Sequence, residues 1–309
     1  MTARSAAAAL GVVAAAGAGA FAYGTLVERK LYTLRRGTMP VLPAGAPPIR
    51  VLHLSDLHMA PWQRDKQEWI RELARFEPDL VIDTGDNLGH RDAIPAVRHA
   101  LEVFRGIPGV FVHGSNDYFG PSFKNPMRYF TGPSKQHGSV EVLDTRSLTE
   151  AFESFGWLDL DNRAGRLTIN GTVLDFAGVD DPHRHYDRLD EATTALEQVR
   201  RDSPVGDGVL VGVAHAPYQR VLNSFVDLGS AAIFAGHTHG GQVCVPGFGA
   251  LVTNCDIPRR QVKGLSTWSH GGRSADLNVS AGLGTSIYAP FRFACRPEAS
   301  LITLTAASA

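Results

Sequence analysis

An α/β domain behind an apolar N-terminal segment is what the 309-residue sequence predicts, on three observations. From residue 49 onward, short apolar runs bounded by turn residues alternate with stretches of helical periodicity, the pattern of buried strands joined by crossover helices. Residues 6–27 contain no charged side chain. Aspartates, asparagines and histidines stand directly after the apolar runs, at the strand ends where an α/β sheet gathers its ligands.

Composition narrows the class. Hydrophobic residues make up 44% and charged residues 20%, as in ordinary globular proteins. The net charge of -1 supplies no field toward nucleic acid, and none is expected as a partner. Cys244, Cys255 and Cys295 form no CxxC pair, and their odd number leaves at least one thiol free. That excludes a disulfide scaffold and a zinc ribbon.

Taken in order, residues 1–30 read as a membrane anchor or signal segment, since about 20 apolar residues span a bilayer as a helix. A cleaved signal peptide is the alternative, because Ala18-Gly19-Ala20 follows Arg4 as a small-residue cleavage site does. The anchor reading gives a single-pass protein of the cell membrane, and the other an exported one. Arg29, Lys30, Arg35 and Arg36 follow the segment, a small bias toward a cytoplasmic domain that leaves the side of the membrane open. Residues 31–48 read as a linker, Pro/Ala/Gly-rich from Pro40 on, so the soluble domain is expected to run from 49 to 309. Within it, residues 49–55, 80–84 and 109–113 read as strands. Trp69, Ile70, Leu73 and Phe76 share one helical face, as do Ile94, Val97, Leu101 and Phe104. Residues 118–162, rich in Gly, Pro, Ser and aromatics, are too long for a plain connection and suggest a lid or insertion with a short helix near 148–155. Strands resume at 172–179, 209–214 and 231–235, with helices around 189–199 and after Pro217. The tail from 277 to 304 carries two more strand-like runs around Gly282-Leu283-Gly284.

Five strand ends carry chemistry. They bear Asp56-Leu57-His58, Gly85-Asp86-Asn87, Gly114-Ser115-Asn116-Asp117, His215, and Gly236-His237-Thr238-His239-Gly240-Gly241. Each alone is a common combination, but five in succession at strand ends converge on one place. Imidazole and carboxylate together suit first-row cations such as Mn, Fe, Zn or Co, whereas all-oxygen sites suit Mg or Ca.

In this order the motifs resemble those of the calcineurin-like metallophosphoesterases, whose pattern is DxH, GD, GN[HD], H and GHxH. The resemblance covers about residues 49–304. The stretch GHTHGGQ, Gly178-Val179-Asp180-Asp181-Pro182-His183, and Gly282-Leu283-Gly284 with Arg292 and Pro297-Glu298 are similar to a YkuE/YaeI-like bacterial branch of membrane-associated or exported phosphodiesterases. The resemblance implies a four-layer α/β sandwich of two mixed sheets flanked by helices. It also implies two metal ions (Mn, Fe or Zn), one held by Asp56, His58 and His239. The other would be held by His215, His237 and an amide oxygen, with Asp86 bridging. Such paired metals generate a hydroxide nucleophile and stabilise an in-line displacement at phosphorus. The implied activity is phosphoester hydrolysis, of diesters by likeness to the branch. A lipid or envelope monoesterase and a catalytically weak metal-binding protein are the alternatives.

One motif departs from the pattern. Where the family reads Gly-Asn-His-Asp, this chain reads Gly114-Ser115-Asn116-Asp117. Aligned without a gap, Ser115 replaces the ligand asparagine and Asn116 the histidine that serves as general acid. Shifted by one, Asn116 is the ligand and Asp117 stands in the histidine's place. An amide oxygen is a better donor to a hard cation than a neutral hydroxyl, which favours Asn116 as ligand. Asp117 is then the catalytic candidate, although nearby cations keep a carboxylate ionised and make it a poor acid. Ser115, His183 and Arg292 are expected to line the substrate site, Arg292 either as a phosphate clamp or in a structural salt bridge. The expected substrate is a phosphoester, in one reading a lipid-linked one. His53 and His113 read as core residues, and His90, His99, His137 and His270 as surface.

Overall fold

The computed structural model describes residues 3–121 and 141–307. A first six-stranded sheet takes the order β1 (Thr33–Leu42), β14 (Glu298–Ala306), β2 (Ile49–Leu54), β3 (Leu80–Asp83), β4 (Gly109–Phe111) and β5 (Trp157–Asp159). A second runs β12 (Gly264–His270), β13 (Arg273–Val279), β9 (Ala232–Ala235), β8 (Val209–Ala214), β7 (Thr172–Val179) and β6 (Ala164–Ile169). Both are mixed. In the first, β2 to β5 are parallel and β14 runs against β2. In the second, β7, β8, β9 and β13 are parallel between antiparallel flanks.

Alternation along each strand sorts its side chains between layers. Ile49, Val51, Leu80, Ile82 and Val110 meet Leu174, Phe176, Val211, Val213 and Phe234 between the two sheets. The intervening Leu52, Leu54, Val81 and Phe111 pack outward under α2 (Arg64–Glu72), α3 (Ile94–Leu101) and α5 (Thr145–Glu153), through Ile70, Val97, Leu101 and Phe152. On the opposite side Val179, Leu210 and Ile233 pack under α6 (Leu189–Arg201) and α7 (Gln219–Asp227), through Leu196, Val221 and Phe225. Helices, sheet, sheet and helices make the four layers. Strands buried on both faces are continuously apolar, which is why these runs were readable.

The linker expected over 31–48 is corrected, because its first part is β1, paired parallel with β14 from Thr33↔Glu298 to Met39↔Leu304. Its two arginines, glycine and proline hide the strand. Pro40 lacks an N–H and is tolerated because β1 is an edge strand, with the register shifting between Met39 and Leu42. The domain therefore begins before residue 49. Strands β5, β6 and β12 were also not read from the sequence. Of the lid expected at 118–162, residues 122–140 and His137 lie outside the described residues; α5 is the short helix expected there. One N-terminal helix, α1 (Ala3–Leu26), is long and apolar enough to cross a membrane, by length and composition.

Candidate metal centre

The parallel strands of both sheets end on one side, and their following loops bring the motifs together. Asp56 and His58 follow β2, Asp86 follows β3, His215 follows β8, and His237 and His239 follow β9. The loops are tied by backbone bonds: Asp56 N–H donates to Gly85 O at 2.8 Å, His58 N–H to Asp86 O at 2.9 Å, and Gly236 N–H to His215 O at 2.8 Å. Close approach explains two glycines. A Cβ on Gly114 would strike Asp86 and the His215 ring, and one on Gly236 would strike Ser55 and Asp56. Asp56, His58, Asp86, His237 and His239 all have positive φ, from 38° to 68°. Left-handed backbone disfavours residues with a Cβ, and such strain concentrates at functional sites.

The side chains form two groups, Asp56–His58–His239 and Asp56–Asp86–His215, with ligand atoms within 4.8 Å of one another in each. His58 Nε2 lies 3.2 Å from His239 Nε2 and 3.5 Å from Asp86 Oδ2, and His239 Nε2 lies 3.5 Å from Asp56 Oδ1. His215 Nε2 lies 3.4 Å from Asp86 Oδ1 and 3.2 Å from His237 Nδ1. Metal bonds of about 2.0–2.2 Å at tetrahedral to octahedral angles give polyhedron edges of about 2.8–3.6 Å. The observed spacings fit such edges. Asp86 thus reaches a histidine of each group with a different oxygen. Asp56 Oδ1 is buried with no hydrogen-bond partner, a costly state for a carboxylate that a cation would relieve. Its Oδ2 is occupied, accepting from Ser55 Oγ at 2.5 Å and His237 N–H at 2.9 Å.

Protonation is set from behind. His215 Nδ1 donates to Thr84 O at 2.7 Å, so Nε2 is the nitrogen turned toward Asp86. Asn254 faces His237 Nε2 with its carbonyl oxygen and its side-chain amide, each at 3.2 Å. The carbonyl can only accept and the amide nitrogen can only donate, so the two contacts suit opposite tautomers, and Nδ1 is the nitrogen turned toward His215. Burial pushes His58 down to about 4, and His237 and His239 well below the usual imidazole range. Neutral imidazole is the form that binds a cation. His215 differs: burial opposes its charge, but Asp86 and then Asp56 pull it well above the usual range. Burial would raise Asp86, yet the His215 charge and hydrogen bond hold it well below the carboxylate range.

The remaining expected site residues divide. Asn116 gives both donors to Asp86, N–H to Oδ1 and Nδ2 to Oδ2, each at 2.7 Å. It therefore presents its amide nitrogen, not a ligand oxygen, to the Asp86 carboxylate. Asp117 is corrected as a catalytic candidate. Its carboxylate is fully buried and accepts the N–H groups of Asp86, Asn87, Leu88 and Gly114 at 2.7–3.1 Å. Burial raises it to about 6, but no substrate can reach it. Arg292 is corrected as a phosphate clamp, because it is fully buried and donates to the carbonyls of Ala281, Gly282 and Gly284 at 2.7–3.0 Å. Its Nη2 also lies 3.3 Å from His239 Nδ1, so it buttresses a candidate ligand from the rear. The Ser115 hydroxyl donates to Asp181. His183 sits beside the second group, its ring 4.6 Å from that of His237 and its Nδ1 3.0 Å from the Tyr218 hydroxyl.

Sequence reasoning missed Asp181, Asn254, Thr84 and Tyr218. Asp181 stood inside a motif already singled out. It is fully buried, accepts His183 N–H at 2.9 Å, and is raised to about 6 by burial. The other three carry no local signal. His53 is a core residue, held between Thr84 Oγ1 at 3.0 Å and Asn278 Nδ2 at 2.8 Å. His113 is buried against Asp161 in an ion pair, with 2.5 Å between Nδ1 and Oδ2.

A family model described as calcineurin-like phosphoesterase matches residues 49–241. Among curated proteins, the chain is 28% identical to the uncharacterized protein YpbG of Bacillus subtilis, over 84% of this chain and 82% of that one. It is 24% identical to the uncharacterized metallophosphoesterase YkoQ of the same organism, over 81% of each. It is 21% identical to the uncharacterized metallophosphoesterase YkuE, also of Bacillus subtilis, over 93% of this chain and 90% of that one.

Proposed function

The chain belongs to the calcineurin-like phosphoesterase family and is a metal-dependent phosphoester hydrolase, and within that class we propose that its substrates are diesters. The observation that carries this reading is electrostatic. Two divalent cations bring four positive charges, and the carboxylates of Asp56 and Asp86, the acidic residues among the proposed holders, cancel two. Arg292 and Lys66 approach the cluster only from behind. The first is engaged on carbonyls, and the second donates to Leu57 O at 2.6 Å and Gln63 Oε1 at 2.9 Å. An attacking hydroxide would cancel a third, and the single charge left matches a diester monoanion better than a monoester dianion, which bidentate cationic clamps usually receive.

Bound cations would polarise the phosphoryl oxygens and lower the pKa of an attacking water. The proposed holders are Asp56, His58 and His239 on one side and His215 and His237 on the other, with Asp86 between. Asn116 keeps both Asp86 oxygens in place. Thr84 and Asn254 hold the rings so that His215 Nε2 and His237 Nδ1 turn toward the cluster, and Arg292 backs His239. His183, half-buried and steadied by Tyr218, is the side chain proposed to meet the substrate beside the second group. With α1 as a single-pass anchor, the centre stands at a membrane surface, which suits a lipid-linked diester.

The test compares bis(p-nitrophenyl) phosphate with p-nitrophenyl phosphate under saturating Mn. The expected result is a higher kcat/KM for the diester and loss of both activities on chelation. A clear preference for the monoester would replace this reading with that of a phosphatase.

A further inference from the structure

Where α1 meets the domain, a cavity of ≈ 500 Å³ is lined by Tyr23, Phe293, Glu28, Arg35, Lys263 and Arg296, among others. That volume lies within the range of about 300–1,000 Å³ usual for small-molecule sites. The helix is fastened at this point. Phe21 stacks on Phe291 with ring centroids 5.4 Å apart, and Gly24 O accepts Arg292 N–H at 3.3 Å. Glu28, nearly fully buried, accepts Ala294 N–H at 3.0 Å and Cys295 N–H at 2.7 Å. The candidate membrane span runs from Leu10 to Lys30. The cavity therefore lies at its C-terminal end, the depth at which aromatic rings and then cations meet lipid headgroups.

The charges around it are unevenly satisfied. Both Glu28 oxygens are engaged by backbone donors. Arg35 Nε is paired with the buried Glu298 at 2.8 Å. Lys263 Nζ has only the Cys295 sulfur, 3.5 Å away, as a partner among the described residues, and a thiol is a weak acceptor for an ammonium with three donors. Arg296 is exposed and makes no ion pair or hydrogen bond among the described residues. Two under-coordinated cations thus stand over an aromatic floor, at the end of a membrane-length helix.

We propose that this cavity binds the headgroup of an anionic membrane phospholipid, with Lys263 and Arg296 holding its phosphate. Tyr23 and Phe293 flank the glycerol and the first acyl carbons. Basic pockets beside membrane helices recognise anionic headgroups by this combination. The inference rests on α1 spanning the membrane and is independent of the hydrolytic reading.

The experiment titrates the full chain in non-ionic detergent with short-chain phosphatidylglycerol, short-chain phosphatidylcholine or inorganic phosphate, and follows binding by calorimetry. Wild type is expected to bind phosphatidylglycerol saturably and phosphatidylcholine at least about tenfold more weakly. Lys263→Gln with Arg296→Gln should weaken phosphatidylglycerol binding about thirtyfold. Arg75→Gln, at an exposed arginine on the helical layer, should not. The double variant should keep its unliganded Tm and its aryl diester hydrolysis, which separates loss of the site from loss of the fold. Equal affinity for the two lipids, or an unweakened double variant, would overturn the proposal. Inorganic phosphate binding as tightly as phosphatidylglycerol would show a soluble-anion site and overturn the lipid assignment. Recovery of uncleaved full chain in the soluble fraction without detergent would remove the premise and the proposal with it.

Discussion

Asp117 holds the loop that carries Asp86, and its chemistry separates a structural clamp from a general acid. Its two oxygens accept four buried backbone N–H groups. In Asp117→Asn the amide supplies only one acceptor oxygen, so some of those donors lose their partner, at about 1–3 kcal/mol each. We expect Asp117→Asn to lower stability and metal affinity together, while rates on alkyl and aryl diesters fall by the same factor. If Asp117 protonated the leaving group, alkyl substrates would suffer about 10²–10⁴-fold more than aryl ones. The rate ratio decides between the two. The convergence of Asp56, His58, Asp86, His215, His237 and His239 was legible because residue type and strand-end position suffice to bring them to one place. Asp117 and Arg292 were misread because a sequence gives the kind of side chain and not its direction. Both point into the protein and act through backbone groups that any sequence would supply.

Between β4, β5 and α5, a buried ion pair ties together the loops at the end of the first sheet. His113 Nδ1 meets Asp161, whose other oxygen accepts His113 N–H at 2.9 Å, and His113 Nε2 lies 3.2 Å from Thr149 on α5. Tyr118 links the pair to Asp180, at 2.8 Å, beside the centre. Burial alone would discharge the imidazole, but Asp161, helped by Asp117 and Asp159, raises it to about 9. A raised folded-state pKa stabilises fully below the unfolded value of about 6.5 and loses that contribution as pH climbs through about 9. Wild-type Tm, taken relative to His113→Gln, should therefore shrink between about pH 6.5 and 9. A difference that stays constant or grows over that window would show that the pair is not charged. The strands of this sheet that alternate cleanly or are buried on both faces could be read in advance. Strand β1 could not, because an edge strand tolerates arginine and proline, and its place was fixed by β14 more than 250 residues away.

At the scale of the molecule, two six-stranded sheets face each other so that their parallel strands end together, and every candidate ligand follows one of those ends. That convergence is long-range, yet it was foreseen because five motifs in a fixed order leave few arrangements open. The cavity beside α1 was invisible in the sequence, since Tyr23, Lys263 and Arg296 meet only after the tail folds back on α1. The central claim is that the centre holds a pair of cations with Asp86 between them. The most direct measurement titrates the metal-stripped full chain with Mn at neutral pH and counts bound metal by elemental analysis after gel filtration. The account predicts two Mn ions per chain in wild type and no more than one in Asp86→Ala, with diester hydrolysis lost in step. A wild type that saturates at one ion, or an Asp86→Ala chain that keeps two and remains active, would contradict it.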